Sequence, residues 1–523
     1  MASNQERSYD VIGFGDEVPG ILALIAAGKE YRRRTGKYPR ILLMSKGSKH
    51  EGVGGHLVRG GLAYLDRCQI PRNLRKSLKL DTFGSPPSLY KEFLQRSGVN
   101  LIALDPRKAD AALKKMMQEA GVALIREVKI ASVIKDGPKL AGIKLARGET
   151  YFGKQFIDST VNGELAQAAG VRKLKGFNTF GLPESELPVT LVFETHGLSI
   201  RRLKQVEYAY LKRFTNPADQ EAQRWLKQAA GSDPQFAERL RKNMRDPRGN
   251  LKTMWVGKDY IDIRSPALSV AYHSFRGKTF SIAKSGVILD EGNVAILPGG
   301  RLSWNALLCK VNGTEAEELA QGGAKPSAKI LEEMNFVETW LKGIGAKAVK
   351  PASELYIRHA GNITGVVDPL YGSQMLLGGT PNWSALGTFG YHFDVRGGIE
   401  GLGNRASQNG IKSVSFSKPI FNIGMQHAQI KTVPNLAVVS PGSGFQGFAS
   451  SAGRIVEFNA GVGQALGIAA ITALLSGRNL SNVSNSEVRK VLLSTKQLPR
   501  VYGYANNNEA KKLKNFESLL VLV

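Results

Sequence analysis

The hydrophobic pattern of the chain opens on a short apolar run. Residues Tyr9–Phe14 are apolar except at Asp10, as expected of a strand covered on both faces. A glycine-bearing turn follows, then the apolar run Ile21–Ala27, which predicts a helix. Tyr38–Ser45 (YPRILLMS) predicts a second buried strand. Together these make a βαβ unit of the right length. Farther along, Leu187–Thr195, Leu268–Ser274 and Phe280–Ala283 predict strands, and Arg201–Phe214 and Ala328–Leu341 predict helices. The stretch from Asn435 reads as a strand entering a turn at Gly442, Ser443 and Gly444. Gln464–Leu475 has the small, apolar composition of a buried helix.

The first turn carries glycines suited to a dinucleotide. Gly13 permits the turn off the strand, Gly15 lets backbone approach a pyrophosphate, and Gly20 lets the helix pack on the sheet. Free N–H groups and the helix dipole then favour the phosphates. Asp16 and Glu17, between these glycines, are expected beside the cofactor. The spacing G-x-G-x-x-x-x-G is two residues longer than the usual fingerprint. The second strand ends in Ser45 and Lys46, where an acidic residue would hold a ribose. A second glycine-rich loop runs from Gly52 through Gly54, Gly55, His56 and Arg59 to Gly61. It suits close backbone approach to a cofactor.

With this second loop the sequence resembles the FAD-dependent oxidoreductases among the glutathione-reductase-like flavoproteins. Residues 121–146 resemble that fold's three-stranded meander, with a strand ending near Val128 and a hairpin at Asp136 and Gly137. The stretch from Phe156 through Asp158, Thr160 and Gly163 is similar to the family's "VIDATGDGDL". Val161 stands where that motif has glycine. The stretch Ala352–Ile363 resembles "IGVRESRRI", with Arg358 retained and Gly361 and Asn362 in place of later arginines. Gly390–Arg396 resembles "YPIDIH", with Asp394 retained and Arg396 where histidine would stand. Arg454 to Ala470 resembles "RVMPTCALMGQAAGVAA".

The resemblance implies an α/β fold: a three-layer, Rossmann-like FAD-binding domain with an inserted α+β substrate or cap domain. The expected organisation is 1–175 and 371–480 for the two parts of the FAD domain, 176–370 for the cap, and 481–523 for a basic tail. FAD is the implied cofactor. Ser45, Lys46, Val128, Thr160, Ser443, Gly444, Gly461, Gly463 and Gln464 are expected to line it with the residues of the two glycine loops. The helix at Gly461–Gln464 would aim its N-terminus at the flavin pyrimidine, where negative charge collects on reduction. The implied activity is a dehydrogenase or oxidase that moves hydride from a small organic substrate to flavin. A catalytically degenerate flavoprotein, acting as a basic binding or sensing protein, is the competing class.

Among residues that could do chemistry, His56 could transfer a proton or hold the flavin covalently, or simply pack on the loop. Arg358 and Arg396 could clamp a carboxylate. His359 and His392 are candidates for specificity, and Tyr64 and Tyr391 could donate to a substrate oxygen. His50 and His427 carry no supporting context.

Composition adds two constraints. Cys68 and Cys309 form no CxxC, zinc cluster or disulfide framework, which fits a reducing, cytoplasmic setting. The apolar runs near Gly20–Ala27 and Ala465–Leu475 are shorter than the ~20 residues of a membrane span. A net charge of +27 is concentrated in clusters such as Arg32–Arg34, Arg201–Lys204 and Lys511–Lys514. These carry no nucleic-acid motif; they suit a solvated face, an acidic partner, or an anionic membrane surface at which the chain sits peripherally.

Overall fold

Buried apolar runs separated by an apolar helix pack as a parallel pair with the helix across one face, and the computed structural model takes that form. It describes residues 7–399, 402 and 415–521. Strand β1 (Ser8–Phe14) pairs in parallel with β2 (Ile41–Met44), Val11 facing Ile41, and α1 (Val18–Thr35) connects them. Strand β3 (Val122–Ile125) adds in parallel on the far side of β2. On the other side of β1 lies β6 (Thr150–Asp158), also parallel. Two partners share β6: β5 (Lys139–Leu145) pairs antiparallel near its start, and Leu436–Val438 pairs in parallel with Phe156–Asp158. β4 (Ile130–Asp136) closes the sheet through a hairpin with β5. The expected meander therefore consists of β4, β5 and β6. The residues before Val128 belong to the parallel sheet instead, because β3 has β2 to pair with.

The chain returns some 280 residues after β6 to complete this layer, and its long helix Val456–Ser476 lies on α1. That contact explains why α1 is buried from Val18 to Gly28 rather than amphipathic. Ile21, Leu22, Leu24 and Ile25 are fully buried. Each contributes roughly 1.5–3 kcal/mol relative to exposure. The helix extends well before Gln464, so Gly461, Gly463 and Gly467 lie inside it rather than at its start. A Cβ on Gly463 would overlap the Pro19 carbonyl oxygen, and one on Gly467 the Ala23 carbonyl oxygen. Gly463 and Gly467 are there because two helix backbones touch, whereas a Cβ on Gly461 would meet the side chains of Ile423 and Pro87. Among the described residues this is the one helix long and apolar enough to cross a membrane, and it is largely buried.

A second sheet of six strands, each antiparallel to its neighbours, runs in the order Ala348–Pro351, Val189–His196, Arg301–Cys309, Val287–Leu297, Tyr260–Asp262, Trp255–Val256. Helices Ile200–Phe214 and Ala328–Gly343 form at the predicted places. The strands expected at Leu268–Ser274 and Phe280–Ala283 are absent: Ala267–Arg276 is a helix and Ile282–Ser285 a single turn. A short apolar run does not distinguish a buried strand from a buried helix. Here Ala267–His273 is buried because helices Ile200–Phe214 and Gln220–Ala229 and the sheet surround it. The C-terminal region forms two helices, Asn485–Ser494 and Asn507–Val521, the latter packing Leu513, Phe516 and Leu520 beside Phe180 and Phe448.

Candidate functional site

The turn after β1 sets the geometry of the expected cofactor site. Gly13 is a strand residue, level with Leu43 of β2 and packed under Leu24. The turn itself falls at Gly15, whose φ of +86° favours glycine. Glu17 is the residue capping α1, and Gly20 sits in the first helical turn against Ser159. The fingerprint in space is therefore Gly15-x-Glu17-x-x-Gly20, of ordinary length. Glu17 stands at its second position, where a bare backbone normally admits the pyrophosphate.

The side chains of this turn point into the site rather than away from it. Glu17 accepts hydrogen bonds from the His56 N–H at 3.1 and 3.2 Å, and Asp16 accepts one from the Gly54 N–H at 3.2 Å. A Cβ on Gly55 would overlap the Glu17 carboxylate. Arg59 pairs with Asp16 through both terminal nitrogens, one bond measuring 2.8 Å, and with Glu354 at 2.7 Å. All of these groups are buried. Burial pushes the Glu17 carboxyl up to about 8, and the Asp16 charge adds to the push. For Asp16 burial works the same way, but the charge and hydrogen bonds of Arg59 outweigh it and hold Asp16 below its ordinary value. Burial, then Arg59 and Arg358, depress His56 to about 3, so its ring is neutral.

His56 accepts the Ile357 N–H at Nε2 (3.2 Å), keeps Nδ1 3.5 Å from Glu17, and meets Tyr356 edge-on. Walled in at 3% exposure, it has no open approach for a substrate proton, contrary to the expected catalytic role. Arg358 is likewise turned inward, donating to the Pro188 carbonyl and Thr190 Oγ1 at 2.7 Å over the Tyr356 ring. Burial and nearby Arg396 lower it to about 10. It supports the strand Val189–His196 and cannot clamp a ligand from there.

The remaining expected cofactor residues divide into two groups. Ser45 is buried and accepts the Gly47 N–H, while Lys46 donates to Glu164 at 2.6 Å and to the Gln321 carbonyl at 2.7 Å. Lys46 and Val128 line an open cleft of about 1040 Å³ with Glu164 and Lys325. Thr160 donates to Asp158 and crowds Gly15, and Ser443 and Gly444 close the loop beyond Leu436–Val438. Gly461, Gly463 and Gln464 are elsewhere. Gly463 serves helix packing, Gly461 lies against the side chains of Ile423 and Pro87, and Gln464 accepts the Leu89 N–H at 2.9 Å, tying down the helix Ser88–Arg96. The resemblance to flavoproteins at these three positions therefore reflects the scaffold.

A cavity of about 530 Å³ opens nearby, lined by Tyr64, Asp66, Arg67, Gln69, Arg75, Asn293, Tyr391, His392, Arg396 and Lys418. Four cationic side chains and one carboxylate, Asp66, belong to that lining, with Asp262, Asp290 and Asp394 pairing to Arg67 and Arg396 from outside it. Arg396 adopts a φ of +43°, a strained conformation for a residue with a side chain. It donates to Asp394 at 2.9 Å and Asp290 at 3.0 Å. Burial opposes ionisation of Asp394, but Arg454, Arg396 and Arg358 bring it down to about 2. Tyr391 donates to Asp66 at 2.8 Å and stacks on His392, whose Nδ1 meets Gln69 at 2.9 Å. Tyr64 donates to Asp262 at 2.6 Å. Sequence reasoning found Arg396, Tyr391, His392 and Tyr64 but missed Asp66, Arg67 and Gln69. A polar cluster directly after the apolar run Leu62–Leu65 was the available signal. His359 is buried between Glu186 (2.8 Å) and Asn362 (3.0 Å), His427 is buried against Phe445, and His50 is exposed.

Tested against a dinucleotide, the frame and the Lys46 cleft fit, but the diphosphate position does not. The Gly54 and His56 N–H groups that would face an anion are taken by Asp16 and Glu17, and two carboxyl groups fill the space.

A family model described as "FAD dependent oxidoreductase" matches residues 33–492, beginning past the turn that carries Asp16 and Glu17. No curated protein matches the sequence. Among solved structures, L-proline dehydrogenase from P. horikoshii shares 9% identity at a TM-score of 0.34, over 93% of this chain and 99% of its own. The myxobacterial chondrochloren halogenase CndH shares 12% at 0.37, over 98% and 90%. A geranylgeranyl bacteriochlorophyll reductase-like protein from Thermoplasma acidophilum shares 12% at 0.34, over 99% and 88%. Overlaps this loose say nothing about substrate.

Proposed function

The chain belongs to the FAD dependent oxidoreductase family, with FAD as cofactor, and from that premise we propose that it is a dehydrogenase or oxidase acting on a small organic anion. The observation that carries this reading is the cavity around Arg396, whose lining carries Arg67, Arg75, Arg396 and Lys418 with Asp66 as its carboxylate, while Asp262, Asp290 and Asp394 pair with Arg67 and Arg396 from outside the lining. A predominantly cationic lining favours a carboxylate. Arg396, preorganised by Asp290 and Asp394, is the anion's anchor. His392 is held below its ordinary pKa by burial, which keeps it neutral and able to accept a proton. Tyr391, held by Asp66, forms one wall. The reaction class is hydride removal from the substrate, FAD being the two-electron acceptor when bound. Exposed basic residues such as Arg201, Arg202, Lys204 and Lys212 are suited to an acidic partner or anionic surface.

Anaerobic reduction of the protein at saturating FAD tests the reading. Small 2-hydroxy or 2-amino acids should bleach the flavin, and neutral alcohols should not. Arg396→Ala should raise KM for the acids roughly tenfold or more, with a smaller effect on kcat. Equal reduction by neutral alcohols, or an unchanged KM, refutes the assignment.

A further inference from the structure

The family's cofactor and this chain's own turn disagree at one place, and the disagreement has a specific form. In the fingerprint Gly15-x-Glu17-x-x-Gly20, the position where a side chain cannot be tolerated beside a pyrophosphate holds glutamate. Its carboxylate does not swing out to water. It takes the His56 N–H, while its neighbour Asp16 takes the Gly54 N–H. Arg59, from the same glycine-rich loop, supplies the positive charge and also holds Glu354 from the cap. Backbone donors, a guanidinium and two acidic groups thus form a closed arrangement at the N-terminus of α1, with Glu17 the most accessible of them at 9% exposure.

A simpler account would make this an ion-pair network that ties the cap to the dinucleotide domain. Arg59 bridging Asp16 and Glu354 fits that account. Glu17 does not: it makes no hydrogen bond to Arg59, whose donors go to Asp16 and Glu354, it lies beside Asp16, and its own hydrogen bonds come from the His56 backbone N–H. A carboxyl in so unfavourable a position does there what a phosphate oxygen would do, accepting the N–H of a loop that otherwise faces a helix N-terminus.

We propose that Asp16 and Glu17, with Arg59 as counterion, are a built-in occupant of the diphosphate seat, making FAD an exchangeable rather than a resident cofactor of this protein. For FAD to seat its diphosphate, the loop Gly52–Gly61 must withdraw from the two carboxylates. The Lys46 cleft is open before that happens. The family match begins at residue 33, after the turn.

The experiment is FAD binding by the full-length chain, read by flavin fluorescence and by flavin content after gel filtration. It does not depend on turnover, so its failure is distinct from that of the substrate assignment. Wild-type protein loaded with FAD should lose it on the column. Glu17→Gly should bind FAD roughly 100-fold more tightly and retain it. Wild-type protein that keeps one FAD per chain, or a folded Glu17→Gly variant that binds no more tightly, overturns the proposal. Should that variant not fold, retention by the wild-type chain decides by itself.

Discussion

Replacing Glu17 by glutamine isolates the energetic consequence of a buried carboxyl whose nearby guanidinium, Arg59, spends its hydrogen bonds on Asp16 and Glu354. Unfolded, Glu17 releases its proton near 4.5; folded, it does so near 8. Asp16, Arg59, His56 and Glu354 are the ionisable groups that surround it. Between the two pKa values the folded chain keeps a proton the unfolded chain has lost. Stability therefore falls as pH rises through that window, and the loss is complete above 8. At about 1.36 kcal/mol per pKa unit, the cost is roughly 3 kcal/mol near pH 6.5 and approaches 5 kcal/mol above pH 8. The amide matches the protonated carboxyl in shape and keeps an acceptor for the His56 N–H, but it cannot ionise. Glu17→Gln should thus equal wild type in stability below about pH 4.5 and exceed it by a growing margin towards pH 8.5. Urea denaturation followed by circular dichroism at several pH values measures that margin. Asp158, Glu457 and other buried acids also titrate in this range. They are common to both proteins, so the difference between the two curves reports Glu17. A margin that stays constant with pH, or shrinks as pH rises, refutes the reasoning.

Two further outcomes follow from packing and topology. Gly463→Val should push α1 from the helix Val456–Ser476, because the new Cβ has only the Pro19 carbonyl to meet. A loss of about 3 kcal/mol or more is expected, visible as a lowered thermal midpoint, and an unchanged midpoint would disprove the close contact. NADH and NADPH should fail to reduce FAD-loaded protein rapidly, since the cap sheet pairs antiparallel throughout and no second GxGxxG unit lies between Ala146 and Ala320; rapid anaerobic bleaching by either nucleotide contradicts this.

Much of the dinucleotide frame was legible from one dimension. Apolar runs that must be covered on both faces have few arrangements open to them, so β1, α1 and β2 followed from pattern alone. The Asp136-Gly137 hairpin followed from turn chemistry. Ordered motif resemblances spread along the chain identified the family. Where the pattern was degenerate it misled: Ala267–His273 is equally apolar as strand or helix, and only its neighbours made it a helix. Glycines posed the same difficulty. In sequence, Gly13 and Gly15 looked like the paired glycines of a phosphate turn, and Gly461 and Gly463 looked like a flavin-facing helix start. Only the end of β1 at Phe14 and the start of the late helix at Val456 show which backbone each glycine serves.

The site depended still more on tertiary structure. Arg358 and Arg396 are equivalent as letters. One is sealed over Tyr356 while the other borders open space, a distinction set by strands far apart in sequence. The sequence by itself determined which segments must be buried, the parallel pairing of β1 with β2, and the family, because burial and turn chemistry are local demands. The fold alone decided that Asp16 and Glu17 turn inward to meet Gly54, His56 and Arg59. The strength of such contacts depends on distance and burial, and residues some 40 positions apart acquire both only when the chain is packed.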